Sequence, residues 1–142
     1  MTEPSVAALR DLLWARELDI YEARGKGDLG RYEAEITASY LAWPPQHAAP
    51  IDAAAFGRDV RKFAGSGAEL LTMMLTGFSA DGDTAILYYA THRTRLPDGR
   101  PANEHFEVVH VWLRREGDWR LFGGMARAAP ARPKGGIYPR GE

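Results

Sequence analysis

Three glycine turns, Asp81-Gly82, Asp98-Gly99 and Gly117-Asp118, divide residues 69–127 into four strand-like runs. An Asp-Gly pair between alternating apolar runs suits a two-residue type I′ turn, which needs positive φ at both central positions. Gly117-Asp118 has the order reversed, but Trp119 and another strand-like run follow it. The residues therefore predict an antiparallel meander of four strands. Its registers matter, because a slip of one residue moves every side chain to the opposite face.

With Asp98-Gly99 as a two-residue turn, His92 lies opposite His105, Ala90 opposite Glu107, Tyr88 opposite Val109 and Ile86 opposite Val111. The same bookkeeping sets Leu71 against His92 and Leu75 against Tyr88, and Leu113 against Phe122 across the last turn. One face then carries Leu71, Met73, Leu75, Ile86, Tyr88 and Ala90. His92, His105, Glu107, Val109, Val111, Leu113 and Phe122 continue it. The other carries Thr72, Met74, Leu87, Tyr89, Thr91 and Phe106, continued by Val108, His110, Trp112, Met125 and Arg127. The first face is mostly aliphatic, as a helix-covered face should be. The second mixes aromatics with Thr and Arg and reads as a subunit interface, with His110, Trp112 and Met125 in a homodimer contact.

Helices precede the strands. Leu9, Leu13, Ile20 and Ala23 fall on one stripe of a helix over residues 5–23, which Gly25 and Gly27 stop. Asp28 caps a shorter helix through Tyr32 and Ile36, and Tyr40–Trp43 is a short strand cut off by Pro44-Pro45. Asp52 caps a third helix with Phe56, Val60 and Phe63 on its stripe, closed by Gly65-Ser66-Gly67. Helices followed by an antiparallel meander make an α+β pattern. Residues 1–128 are read as a single domain, and residues 129–142, rich in Pro, Gly and Arg, as a tail too polar to order itself.

Composition excludes several classes. Among 142 residues, 18 basic and 19 acidic side chains nearly cancel, so nucleic acid and anionic membrane are not expected partners. The chain has no cysteine, which removes disulfides, thiolate metal sites and thiol nucleophiles. Its first residues lack the pattern of a signal peptide, and no apolar run reaches the ~20 residues of a membrane span. A cytoplasmic protein without a cofactor is the expectation.

Ala23…Gly27-Asp28, Trp43-Pro44, Leu96-Pro97-Asp98-Gly99-Arg100 and the ending Val111-Trp112-Leu113-Arg114-Arg115-Glu116-Gly117-Asp118-Trp119 span nearly the whole chain. In this order and spacing the chain resembles the nuclear transport factor two-like superfamily, which includes ketosteroid isomerases, polyketide cyclases and scytalone dehydratase. The resemblance implies a cystatin-like α+β fold: a cone-shaped, curved antiparallel sheet wrapped around a long N-terminal helix, with a pocket inside and a dimer across the sheet. Chemistry transfers less directly, because fold does not fix function. At the position of the isomerases' general-base Asp stands Trp43, at that of their oxyanion-hole Asp stands Glu107, and their helical Tyr falls near Ile20 or Tyr21. Steroid isomerisation itself is not implied.

Tyr88, His92, His105 and Glu107 are the candidate catalytic group. Cross-strand neighbours have Cβ atoms ~5 Å apart, and a carboxylate beside an imidazole poises it for proton transfer near neutrality. Such a group serves isomerisation, dehydration or cyclisation of a small apolar carbonyl compound; alternatively, both histidines are simply solvated at the open hairpin end. Glu17, Tyr21, Trp43, Met73, Val109 and Phe122 are the candidate substrate-binding residues. Glu17 is either a base inside the pocket or the partner of an arginine such as Arg24. His47 reads as an exposed loop residue. Two His and one Glu lack any familiar metal-ligand spacing, so no metal is expected. The rival to an enzyme is a non-catalytic ligand-binding or association module.

Overall fold

The computed structural model describes residues 5–63 and 68–129. Helix α1 spans Val6–Gly25, with Ser5 as N-cap accepting from the Ala8 amide. Helix α2 is Leu29–Glu33, capped by Asp28, and α3 is Ala53–Phe63, where the Asp52 carboxylate accepts from the Ala55 amide. These caps satisfy amides that have no partner within the helix. The strands are β1 Ile36–Trp43, β2 Ile51–Asp52, β3 Leu70–Asp81, β4 Thr84–Arg95, β5 Pro101–Arg115 and β6 Asp118–Ala128. Strand β1 begins where α2 was expected to continue, so Ile36 is in a strand rather than a helix. The proposed tail beyond residue 129 and the Gly65-Ser66-Gly67 stop lie outside the described residues.

The six strands form one sheet in the order β2-β1-β6-β5-β4-β3. All pairs are antiparallel except β1 with β6, which is parallel. The expectation of a cone-shaped antiparallel sheet wrapped around the helix is corrected here. The sheet is open and mixed: β2 and β3 are its two edges and do not meet. Helix α1 lies along one face instead of being enclosed. Among the described residues no helix is long and apolar enough to cross a membrane.

The core sits between α1 and that face. Leu9, Leu13 and Ile20 of α1 pack with Leu87, Tyr89, Trp112 and Leu121. At roughly 1.5–3 kcal/mol for each large apolar side chain buried, this layer is the main cohesive term. Arg16, on the same helix, lies 5.2 Å over the Trp112 ring and donates to the Trp119 carbonyl. It also joins Arg31 in pairing with the buried Glu35.

The covered face is not the one that aliphatic content selects. His92 does face His105 and Tyr88 does face Val109, so the central register is as expected. Yet Ala85, Leu87, Tyr89, Thr91, Val108 and Trp112 are buried, while Tyr88 is 41% exposed. Two irregularities complicate the parity. In β3 the register shifts at Thr76, setting Leu71, Met73 and Leu75 against Arg93, Thr91 and Tyr89 on the covered side. In β6 a shift at Phe122 leaves Leu121 opposite Trp112 but Met125 opposite Val109. Met125 therefore does not share a face with His110 and Trp112. The interface drawn through those three residues is corrected: His110 and Trp112 belong to the interior.

The turns also differ in detail. Gly82-Asp83 and Glu116-Gly117 make the outer hairpins, with φ of 60° at Gly82, 54° at Glu116 and 80° at Gly117. The central connection is a five-residue loop, Leu96–Arg100, closed by the Leu96 amide donating to the Arg100 carbonyl. A shift between Arg93 and Arg95 restores the His92–His105 pairing.

Candidate functional site

A cavity of about 220 Å³ opens between α1, α2, α3 and the covered sheet face. Ile20, Tyr21 and Arg24 of α1 form one wall, and Tyr32, Tyr40 and Phe56 another. Strands β4 and β5 supply Thr91, Arg93, Phe106, Val108 and His110, and Trp43 with Pro44 lies at the end of β1. The tyrosine wall is tightly built: Tyr32 stacks on Phe56 with centroids 5.1 Å apart, and its hydroxyl bonds that of Tyr40.

Behind His110 lies a buried polar cluster centred on Glu17, whose side chain is fully enclosed. Its carboxylate accepts from Tyr89 Oη at 2.9 Å and Trp112 Nε1 at 3.0 Å, and His110 Nδ1 lies 2.7 Å away. A carboxylate can only accept, so Nδ1 carries the imidazole proton. Tyr21 Oη, 3.0 Å from Tyr89 Oη, donates to it, because Tyr89 gives its single proton to Glu17. Burial pushes the Tyr89 phenol well above the ordinary tyrosine range, with Tyr21 and Glu17 adding to the rise. Burial also raises Tyr21, against the lowering effect of Arg24. Both hydroxyls thus remain donors at neutral pH, and a buried carboxylate with three donors escapes most of its desolvation cost.

At the cavity wall Arg24 donates to both oxygens of Glu69, and Arg93 donates to Glu69 and Glu104. Two cations face two anions. Burial, which lowers the Arg93 guanidinium, is outweighed by Glu104 and Glu69, so it stays charged. Among the described residues no group of three or more His, Asp or Glu is gathered as metal ligands would be.

No protein-family model matches the chain, and no curated protein matches it in sequence. Solved structures do match. The association domain of C. elegans CaMKII has a TM-score of 0.75 at 16% identity, covering 88% of this chain and 99% of that one. The S. rosetta CaMKII hub has a TM-score of 0.67 at 18% identity, covering 91% and 100%. A putative dehydratase of the NTF2-like family from Streptomyces avermitilis has a TM-score of 0.69 at 16% identity, covering 89% and 100%. The fold is NTF2-like. At these identities the likeness concerns the fold alone.

Within the NTF2-like fold, the residues proposed from sequence separate into two groups. Glu17, Tyr21 and Trp43 lie at or behind the cavity, and Met73 packs against the core. Tyr88, His92, His105, Glu107 and Val109 lie on the uncovered face, and Phe122 is exposed at the β6 shift. Their placement toward the helices is corrected. The histidine rings do stack, with centroids 4.0 Å apart, but His92 Nε2 pairs with Asn103 Oδ1 and Glu107 pairs with Arg127. Of the three positions matched to ketosteroid isomerases, Trp43 and Tyr21 line the cavity while Glu107 is across the sheet from it. Sequence reasoning missed His110 as a pocket residue. The available signal was Glu17: a carboxylate on the apolar stripe of α1 demands a sheet face rich in donors.

Proposed function

We propose that this protein is a non-catalytic association module that assembles through the uncovered face of its sheet. The observation that carries the reading is an apolar surface with no layer over it among the described residues. Ile86, Val109, Val111 and Leu113 form its half-buried centre, and Met74 and Tyr88 stand out from it at 63% and 41% exposure. Phe122 extends it toward β1. Its charged members are few, and Glu107 with Arg127 neutralise each other at one end. Single exposed apolar residues need no explanation, but a contiguous set of this kind marks an interaction site. A second copy is the simplest occupant, because an isologous contact brings the same apolar centre to both sides. The names of two similar structures, an association domain and a hub, agree with this reading.

Sedimentation equilibrium tests it. The wild-type protein is expected to form a dimer or larger closed assembly, and the Tyr88→Lys/Phe122→Lys double variant a monomer with unchanged far-ultraviolet dichroism. A wild-type monomer at every attainable concentration would sink the proposal.

A further inference from the structure

We infer that the cavity binds a small, flat, uncharged aromatic compound bearing a hydroxyl, and that His110 Nε2 accepts the hydrogen bond of that hydroxyl. The ring is 9% exposed, and all its hydrogen bonds run through Nδ1. Among the described residues every sealed side-chain nitrogen or oxygen has a partner. Among those residues Nε2 has none, so it opens onto the cavity that the ring lines. In the neutral imidazole, the proton that Glu17 holds on Nδ1 leaves a lone pair on Nε2. An acceptor held in one orientation and opening onto the cavity can serve as a recognition element.

The surroundings narrow the ligand. Tyr21, Tyr32, Tyr40, Phe56 and Phe106 give the cavity aromatic walls, which favour a flat ring packed face or edge on. Its volume of about 220 Å³ is below the roughly 300–1,000 Å³ of drug-sized sites, which suits one or two rings. Charge argues for a neutral donor. The Glu17 carboxylate stands directly behind the imidazole, and Arg24 and Arg93 are balanced by Glu69 and Glu104. An anion approaching Nε2 meets a lone pair backed by negative charge, whereas a hydroxyl meets an acceptor strengthened by it.

Calorimetric titration of the full chain with β-naphthol and with its methyl ether separates the alternatives. Wild-type protein is expected to bind β-naphthol roughly tenfold more tightly than the ether, about 1.4 kcal/mol. His110→Asn keeps an amide donor where Nδ1–H meets Glu17 but has no counterpart of Nε2. It should bind both probes equally. Nitrogen NMR of the wild-type imidazole adds a readout independent of any variant: the Nε2 resonance should move with β-naphthol and not with the ether. Equal wild-type affinity for the two probes, no binding of either, or an unmoved Nε2 resonance would each overturn the inference. Self-association is read on the opposite face of the sheet, so either proposal can fail without the other.

Discussion

His110 Nδ1 and Glu17 Oε2 lie 2.7 Å apart, although 93 residues separate them in the chain. This contact joins the buried stripe of α1 to the third of the four meander strands. It also closes a set of donors, with Tyr89 and Trp112, around one enclosed carboxylate.

Removing that carboxylate should therefore be costly. Glu17→Ala leaves Trp112 Nε1–H, the Tyr89 hydroxyl and His110 Nδ1–H without their acceptor. A loss of about 3–5 kcal/mol is expected for breaking a buried charged network from one side. Glu17→Gln, which retains one acceptor oxygen, should lose less. Urea denaturation measures both, and a loss below about 1 kcal/mol for the alanine variant would contradict the network as described.

The two faces of the β3–β4 hairpin should respond differently to truncation. Leu87 is fully buried on the covered face, and Met74 on the other face is 63% exposed. Leu87→Ala is expected to cost about 2–5 kcal/mol, whereas Met74→Ala should stay within about 0.5 kcal/mol for the monomer. Equal effects in thermal melts of the monomeric double variant would mean that the covered face is misassigned.

Gly124 has a packing reason to be glycine. A Cβ there would overlap the Val109 carbonyl oxygen and come within 2.7 Å of His110 Cδ2. Because the first of these neighbours is backbone in the β5–β6 ladder, it cannot rotate away. Gly124→Ala is expected to destabilise the protein by about 1–3 kcal/mol through overpacking. His110 should shift with it, which proton NMR of the imidazole would register; an unchanged melt and unchanged spectrum would refute the prediction.

Acid sensitivity should trace to Glu35. Burial raises its carboxyl, but hydrogen bonds and charge from Arg16 and Arg31 outweigh burial and hold it below the ordinary 4.5. A carboxyl lowered in the folded state stabilises the fold above its unfolded value, and that contribution disappears as pH falls through the folded value. Stability should accordingly decline as pH drops below about 4.5, and Glu35→Gln should flatten that decline while lowering stability at pH 7. Parallel melting curves against pH for the two proteins would rule Glu35 out as the source.

Local structure was legible in short stretches of residues. Asp28 and Asp52 cap the helices they were expected to cap, and the four meander strands follow the turn signals. These features are written in contiguous residues, where capping hydrogen bonds and turn geometry act over a few positions. Which face of the meander is covered was settled by packing between distant elements. Shifts at Thr76 and Phe122 invert the parity partway along β3 and β6, which alternation alone does not reveal. On the covered face Tyr89, His110 and Trp112 surround the enclosed Glu17 carboxylate, a set of donors contributed by strands distant from α1 in the chain. The open shape of the sheet is tertiary for the same reason: β2 and β3 meet only if the whole sheet closes, and no local signal specifies that closure.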